Sequence, residues 1–277
     1  MPFASPADFS PIPDAEAPRD CPLCPRLVRL REELRNEQPA WWNAPVPAFG
    51  DPGAWLAIVG LAPGRRGANR TGRPFTGDYS GEIFYSTLLK FGLAEGEYNG
   101  EANDGIELVG TIVVNAVKCL PPANRPLPIE VSTCRNYLEA SLAALRGVKV
   151  IVALGQIAFG STLKALHLGA PAKFVHGGEV AAPGGRVLLS SYHCSRQNTN
   201  TGRLTREMFE SVFERALAYR SSTSRPYSSG RRSRKKPNAA RCFFAWVTSR
   251  VATSTPVSSA PNSARMSPRS SQMKLWP

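Results

Sequence analysis

A loop rich in glycine and arginine, residues 60–78, carries the first side chains that suit chemistry. It reads GLAPGRRGANRTGRPFTGD and holds one aromatic residue, Phe75, and one carboxylate, Asp78. Glycines let a backbone approach a ligand closely, and arginines suit a ligand that bears phosphate. A lone phenylalanine is usually part of a core, but between glycines and a proline Phe75 also suits stacking on a base. Asp78 precedes a predicted helix, so it is a candidate for a helix cap as well as for catalysis.

Two further polar groups stand where other apolar runs end. Asn115 ends a run in VVNAVKCLPP, and His193 follows another in YHCSRQNTNTGRLT. An amide offers a donor and an acceptor side by side, which matches the edge of a pyrimidine base, although Asn115 could equally pair with a neighbouring loop. A lone histidine is usually structural, and we interpret His167 and His176 in that way.

Two reactions are compatible with these residues. In the first, Phe75 and Asn115 hold a base while its bond to the sugar breaks. His193 would donate to the carbonyl of the anionic leaving base, and Asp78 would stabilise the cationic sugar or orient water. In the second, the loop binds a nucleotide phosphate and His193 is a general base in transfer chemistry. That reaction needs a phosphate-binding lysine, and GLAPGRRGANR has neither the lysine nor the Walker spacing.

Six cysteines form a second set of candidates. Cys21 and Cys24 in CPLC have a spacing that can chelate one metal centre, while Cys119 and Cys134 come from two later segments. Three interpretations stay open on spacing alone: an iron–sulfur cluster, a zinc site, or unrelated thiols. We interpret Cys194, beside His193, as a small packed residue and assign no role to Cys242.

Alternating apolar runs and helical patterns must position these groups. Buried strands are predicted at residues 55–59, 111–116, 148–154 and 186–191, and helices at 25–35, 80–91, 129–146, 156–167 and 204–219. This alternation predicts an α/β fold with a parallel sheet covered on both faces. The candidate groups all follow the carboxyl ends of strands, where open α/β sheets bind ligands, so we expect one common site.

The basic charge of the chain lies in its last part. The 277 residues carry a net charge of +13, yet residues 221–277 hold 11 of the 34 basic residues and no acidic one, which leaves 23 basic and 21 acidic residues before them. We expect an N-terminal extension at 1–20, a catalytic domain at 21–220 and a disordered basic tail at 221–277. No long apolar run and no secretory signal are evident, which predicts a cytoplasmic protein without a membrane span.

With these motifs identified, the chain resembles the uracil-DNA glycosylase superfamily, and within it the type-5 iron–sulfur branch. The matching motifs are GLAPG (60–64), GANRTGRPFTGD (67–78), NAVKCLPP (115–122) and HCSRQNTNTGRLT (193–205), together with CPLC, Cys119 and Cys134. Type-4 relatives carry Glu where Leu61 stands, which favours type 5 and moves catalytic weight to Asp78. The resemblance implies a three-layer α/β/α sandwich with a four-stranded parallel central sheet.

The resemblance also implies roles for individual residues. Asp78 and His193 would be catalytic, and the base would be bound by Gly60, Leu61, Ala62, Phe75 and Asn115. A structural [4Fe–4S] cluster would be held by Cys21, Cys24, Cys119 and Cys134. Extracting a base needs a wedge and backbone clamps, for which the candidates are Arg65, Arg66, Arg70, Ser195, Arg196, Asn198 and Arg203.

The expected function is therefore excision of uracil, and of other deaminated bases such as hypoxanthine, from single- or double-stranded DNA. No lysine is placed to form a Schiff base, so we expect a monofunctional enzyme that leaves the strand intact. We also expect a monomer in a bacterial-type cytoplasm, associated with the nucleoid when it is bound to DNA. Two alternatives stay open: a non-catalytic nucleic-acid binder with the same fold, and an iron–sulfur redox protein.

Overall fold

A mostly parallel sheet forms the centre of the molecule, as shown by a computed structural model that describes residues 6–169 and 172–223. The strands are β1 (Phe49–Gly50), β2 (Leu56–Gly60), β3 (Ala94–Glu95), β4 (Glu107–Leu108), β5 (Thr111–Asn115), β6 (Val150–Leu154), β7 (Glu179–Ala182) and β8 (Arg186–Ser191). The helices are α1 (Pro25–Glu37), α2 (Ala68–Thr71), α3 (Tyr79–Lys90), α4 (Pro128–Ala144), α5 (Gln156–Ala165), α6 (Arg196–Asn200) and α7 (Arg206–Thr223). Short 3-10 turns connect several of them.

The strand order of the main sheet is β1-β5-β2-β6-β8-β7. The central strands β5, β2, β6 and β8 run parallel to one another, as predicted, and the short strands β1 and β7 add antiparallel edges that were not predicted. A two-residue strand such as β1 has no readable periodicity, and β7 alternates only between exposed and half-buried positions. Strands β3 and β4 form a separate hairpin-like pair.

Helices cover both faces of the sheet and make it the middle of three layers. On one face, Leu138 of α4 and Phe159 of α5 pack with Ala57, Val59 and Ile112. On the other face, Phe84 of α3 and Phe209 of α7 pack with Leu56 and Ile58. Both layers follow from β2, β5 and β6 being buried on both faces, as their continuous apolar sequences indicate.

The order of the strands creates a crevice at one edge of the sheet. From β2 the chain crosses to β5 on one side, and then returns to β6 on the other side of β2. At such a reversal, loops diverge to opposite faces and leave a gap outside the carboxyl ends of the strands. The loops after β2, β5, β6 and β8 therefore meet around one gap.

The predicted boundary at residue 20 needs a correction. Ile12 and Ala15 are buried in the same core as α4, so part of the expected N-terminal extension is packed into the domain. The carboxylate of Glu16 lies 3.0 Å from the ammonium group of Lys118, and both side chains are almost completely buried. The basic tail predicted at 221–277 lies, from residue 224 onward, outside the described residues. In the described part of the chain, no helix has the length and apolar character needed to cross a membrane.

Candidate active site

A cavity of about 630 Å³ opens at the carboxyl ends of the parallel strands. Loops after all four parallel strands contribute to its wall. Among the predicted residues, the wall contains Leu61, Ala62, Phe75, Asp78, Asn115, His193 and Ser195. The structure thus brings together the predicted aromatic, amide, imidazole and carboxylate groups, although they come from distant parts of the sequence.

Phe75 lies at the inner wall of the cavity with its backbone in the left-handed region, at φ 54°. Its ring stacks on Phe84 of α3, with centroids 4.2 Å apart and an angle of 15° between the planes. The ring is 9% exposed, so it belongs to the core and also borders the cavity. The two interpretations of Phe75 from sequence are therefore compatible with each other.

Asn115 ends β5 next to Gly60, the last residue of β2. Its side chain is 4% exposed, and its amide group makes no hydrogen bond within the described residues. A Cβ atom at position 60 would collide with Oδ1 of Asn115 and would lie 3.1 Å from the Phe75 ring. Gly60 therefore leaves the space in which the amide and the aromatic plate stand side by side.

Asp78 caps α3 and faces the cavity at the same time. Its Oδ1 accepts a hydrogen bond of 3.2 Å from the Gly81 amide. Its Oδ2 faces the loop, because a Cβ atom would lie 2.9 Å from it at Gly64 and 2.5 Å from it at Gly67. Burial raises the pKa of Asp78, and the amide hydrogen bonds at the helix terminus partly oppose this shift.

His193 stands in the loop after β8, beside the aromatic plate. Its ring centroid lies 5.8 Å from that of Phe75, and the two planes differ by 25°. Its carbonyl accepts a hydrogen bond of 2.8 Å from the Asn198 side chain, which holds the loop. Burial lowers the pKa of His193 to about 4, so the ring is neutral at physiological pH and carries one N–H donor.

Several residues of the wall were not predicted from sequence. After β6, the segment 154–158 lines the cavity, and between β5 and α4 the residues Ala123, Asn124 and Arg125 do so. The first group had a readable signal, because Gly155 and Gln156 directly follow the carboxyl end of a predicted strand. Ala123 and Asn124 both have left-handed backbones, which the sequence PPANRP does not reveal.

The arginines predicted to bind DNA differ in how strongly they are tied to other groups of the protein. Arg65 and Arg66 are exposed, and Arg65 pairs with Glu37 at 2.7 Å. Arg70 is tied to Glu101 at 2.8 Å and to the Gly100 carbonyl, so it stabilises the loop.

The loop after His193 forms the short helix α6. Ser195 caps α6 by accepting from the Asn198 amide, and Asn198 is engaged with the His193 carbonyl. Arg196 lies over Tyr79, with its guanidinium carbon 5.1 Å from the ring centroid, and Arg203 lies 4.6 Å over Tyr192. Both arginines are exposed, and Arg196 directly follows Ser195, which lines the cavity.

The four cysteines predicted as ligands line one small cavity of about 20 Å³ at the start of α1. All four are free thiols. The Lys118 amide lies 3.2 Å from the Cys134 sulfur, and the Arg31 guanidinium lies 3.9 Å from the Cys119 sulfur. Burial raises the pKa of Cys134 to about 11 and that of Cys119 to about 12.

The chemistry of this donor set fits a thiolate-bound group, since four sulfurs with N–H groups directed at two of them are typical of iron–sulfur ligation. The sulfurs do not converge tightly, however: over residues 6–169 and 172–223, no three His, Cys, Asp or Glu side chains are close enough together to hold a metal ion. The cluster therefore stays a prediction.

The fold and the cavity define an α/β protein with a candidate ligand site at the carboxyl edge of a parallel sheet. The chain belongs to the uracil-DNA glycosylase superfamily, whose family model matches residues 47–217. This match includes β2, β5, β6 and β8 and every residue named above in the wall of the cavity. Membership confirms the predicted fold and the predicted class of enzyme, a hydrolase of N-glycosyl bonds.

Curated relatives are similar over most of the chain. A type-5 uracil-DNA glycosylase of Thermus thermophilus is 48% identical over 202 residues, which cover 71% of this chain and 92% of that protein. A type-5 enzyme of Pyrobaculum aerophilum is 43% identical over 203 residues, 72% of this chain and 88% of that protein. One of Mycobacterium bovis is 40% identical over 206 residues, 71% and 76% respectively. The resemblance to the type-5 branch is thereby confirmed.

Proposed function

We propose that this protein is a DNA repair glycosylase that hydrolyses the bond between uracil and deoxyribose and leaves an abasic site. The observation that carries this proposal is the convergence of Phe75, Asn115, Asp78 and His193 on one cavity. The type-5 relatives, which are named for uracil and DNA, support the substrate.

Recognition of the base rests on Phe75 and Asn115. A base inside a duplex cannot reach a cavity of this kind, so the nucleotide must rotate out of the stack. The Phe75 ring then stacks on the base, and the Asn115 amide, which has no partner within the described residues, pairs with its polar edge. Leu61 and Ala62 form the adjoining wall, and Gly60 leaves the space beside Asn115 and Phe75.

Hydrolysis rests on His193 and Asp78. When the glycosidic bond breaks, its electron pair leaves with the base, which becomes an anion, and the sugar becomes cationic. The N–H of the neutral His193 ring donates to the carbonyl oxygen on which the negative charge develops. The Asp78 carboxylate stabilises the sugar and orients a water molecule, whose oxygen bonds to the sugar carbon while its proton passes to the solvent or the departing base.

The cavity also supports the finer features of the proposed reaction. A volume of about 630 Å³ leaves room for a purine, which supports hypoxanthine as a further proposed substrate. No lysine lies in the described wall of the cavity, which supports base release without the Schiff base that strand cleavage requires. The exposed Arg65, Arg66, Arg196 and Arg203 would hold the phosphates of the flanking strand.

Four cysteines would hold a [4Fe–4S] cluster: Cys21, Cys24, Cys119 and Cys134. When bound, the cluster would supply cross-linking of α1, α4 and the loop after β5, without electron transfer in the reaction. Iron content and the visible absorbance of thiolate-bound iron test this proposal. Cys134→Ser should lose both signals, whereas Cys194→Ser, at another buried thiol, should retain them. Equal signals in both variants would reject this ligand set.

The assay that tests the function measures base release from oligonucleotides that contain uracil, hypoxanthine or xanthine, as single and double strands. We expect uracil release and an alkali-labile abasic site, with no strand break before alkali. Wild-type protein that binds DNA and releases no base would overturn the proposal and favour the non-catalytic binder.

The remaining features of the proposal concern the setting. We also propose that the enzyme acts as a monomer. A DNA substrate would place the enzyme in a bacterial-type cytoplasm, on the nucleoid. Removal of residues 224–277 should leave base release intact if the proposed enzyme works without its basic tail. A loss of DNA affinity together with base release would instead favour the tail as the binding element.

A further inference from the structure

The turn that carries Phe75 is strained and needs external support. Phe75 has a φ of 54°, and Gly77 follows with a φ of 86°. A left-handed backbone is unfavourable for a residue with a Cβ atom, so such a conformation persists only where the surroundings fix it. The Phe75 ring position depends on this turn, because the ring direction follows from the backbone.

A buried ion pair fixes one side of the turn. Arg73 is 5% exposed, and its two terminal nitrogens each lie 2.7 Å from an oxygen of Asp104. Its Nε donates to Thr76 Oγ1, also at 2.7 Å. Asp104 additionally accepts from the amides of Asn99 and Ile106, so it anchors the loop between β3 and β4 to the turn.

Two tyrosine hydroxyls bond to the backbone of the same turn. Tyr85 donates to the Pro74 carbonyl at 2.8 Å, and Tyr98 donates to the Phe75 carbonyl at 3.2 Å. The Tyr98 hydroxyl also accepts from the Gly77 amide at 3.2 Å, so it bridges both sides of the turn. The two tyrosine rings stack with centroids 4.6 Å apart.

We propose that Tyr98, Arg73 and Asp104 are positioning residues, which form a clamp that presets Phe75 and Asp78 for base excision. This inference rests on the proposed function. Each of the three acts through the turn 74–77, and none of them lines the 630 Å³ cavity. Asp78 directly follows the turn, so a clamp on Gly77 sets the positions of the Phe75 ring and of the Asp78 carboxylate together.

Tyr98→Phe tests the clamp, because it removes the hydroxyl and keeps the ring that stacks on Tyr85. We expect the single-turnover rate of uracil release at saturating enzyme to fall on the order of ten-fold, since two hydrogen bonds are lost. The dissociation constant for undamaged DNA should stay unchanged. Hydrogen exchange at the Gly77 amide should become faster, and this readout does not depend on activity.

A matched control is Tyr219→Phe. Tyr219 lies on α7, and its hydroxyl donates a hydrogen bond to Glu179 of β7. This substitution should leave the rate and the Gly77 exchange at wild-type values. Asp104→Asn keeps the shape of the side chain and should lower the rate in the same way; if it does not fold, Tyr98→Phe still decides. A wild-type rate in Tyr98→Phe would overturn the clamp, whereas no release by the wild type would overturn the proposed function and leave the exchange test standing.

Discussion

The two carboxylate oxygens of Asp78 lie in different surroundings. Oδ1 caps α3, and Oδ2 faces the loop and the cavity. Asp78→Asn should therefore separate catalysis from folding, because asparagine caps a helix about as well as aspartate. We expect the single-turnover rate of base release to fall by at least about 100-fold, with little change in melting temperature.

The control for this substitution is Asp51→Asn, which makes the same chemical change in a turn where Asp51 Oδ1 accepts from the Gly53 amide at 2.7 Å. It should leave the rate unchanged. A near-wild-type rate in Asp78→Asn would contradict the catalytic role of Asp78 even if uracil release itself is confirmed.

The dependence of the rate on pH follows from the two groups that we propose to be catalytic. The proposed reaction needs a deprotonated Asp78, whose pKa is raised by burial, and a neutral His193, whose pKa is lowered to about 4. Both groups bind protons as the pH falls, so the rate should be level around neutral pH and should decline on the acid side.

Single-turnover rates measured across the pH range test whether the rate declines on the acid side. Asp78→Asn should remove one of the acid ionisations from the profile that remains measurable. A rate that increases from neutral pH toward about pH 5 would show that the charged imidazolium is the active form, and would reject the neutral donor.

At the scale of single residues, the sequence predicted several groups that line the cavity but not how one residue combines two positions. From the sequence, Phe75 could be either a core residue or a stacking surface for a base. Asp78 could be either a helix cap or a catalytic group. The structure shows Phe75 in the core and at the cavity, and Asp78 at the helix terminus and at the cavity. Such double roles depend on the packing of α3 against the loop, which no local pattern contains.

At the scale of elements, the close approach of β2 and β5 sets the shape of the proposed base site. A Cβ atom at Gly60 would collide with the Asn115 amide and press on the Phe75 ring. Gly60→Ala should therefore displace the two base-binding groups and lower the rate at subsaturating substrate by about 10–100-fold, because small misplacements in a site are costly. The fold should survive, because Gly60 is the last residue of its strand.

Gly160→Ala is the matched control, since a Cβ atom there meets nothing within 4 Å and lies in the middle of α5. It should keep the wild-type rate and should stabilise the helix slightly. Equal rates in the two variants would mean that the space above Gly60 is not used by the base.

Elements with a clear period were predictable, and those without one were not. The parallel strands and the long helices matched their predicted positions within a few residues, because continuous burial and the helical period are visible in sequence. The short edge strands β1 and β7 and the strands β3 and β4 were missed. Their pairing depends on partners elsewhere in the chain.

At the scale of the whole molecule, the N-terminal segment packs into the domain and contributes one partner of a buried ion pair. Glu16 lies on the segment that was predicted as an extension, and its partner Lys118 directly precedes Cys119. Both side chains are almost inaccessible to solvent. A sequence cannot show that two charges so far apart form a pair, and a Pro-rich, acidic stretch ordinarily indicates an exposed segment.

Glu16→Gln should destabilise the protein by about 3–5 kcal/mol, because it leaves the Lys118 ammonium group buried without a counter-charge. Glutamine can still accept the hydrogen bonds of 2.7 Å that the Ser10 hydroxyl and the Ala48 amide make to Glu16 Oε1, so the substitution isolates the charge. Glu139→Gln is the control, since Glu139 pairs with His167 at an exposed site where the expected loss is about 0–1 kcal/mol. Urea denaturation of both variants measures the difference in unfolding free energy. Equal losses would show that the Glu16–Lys118 pair does not hold the segment, and that the apolar contacts of Ile12 and Ala15 suffice.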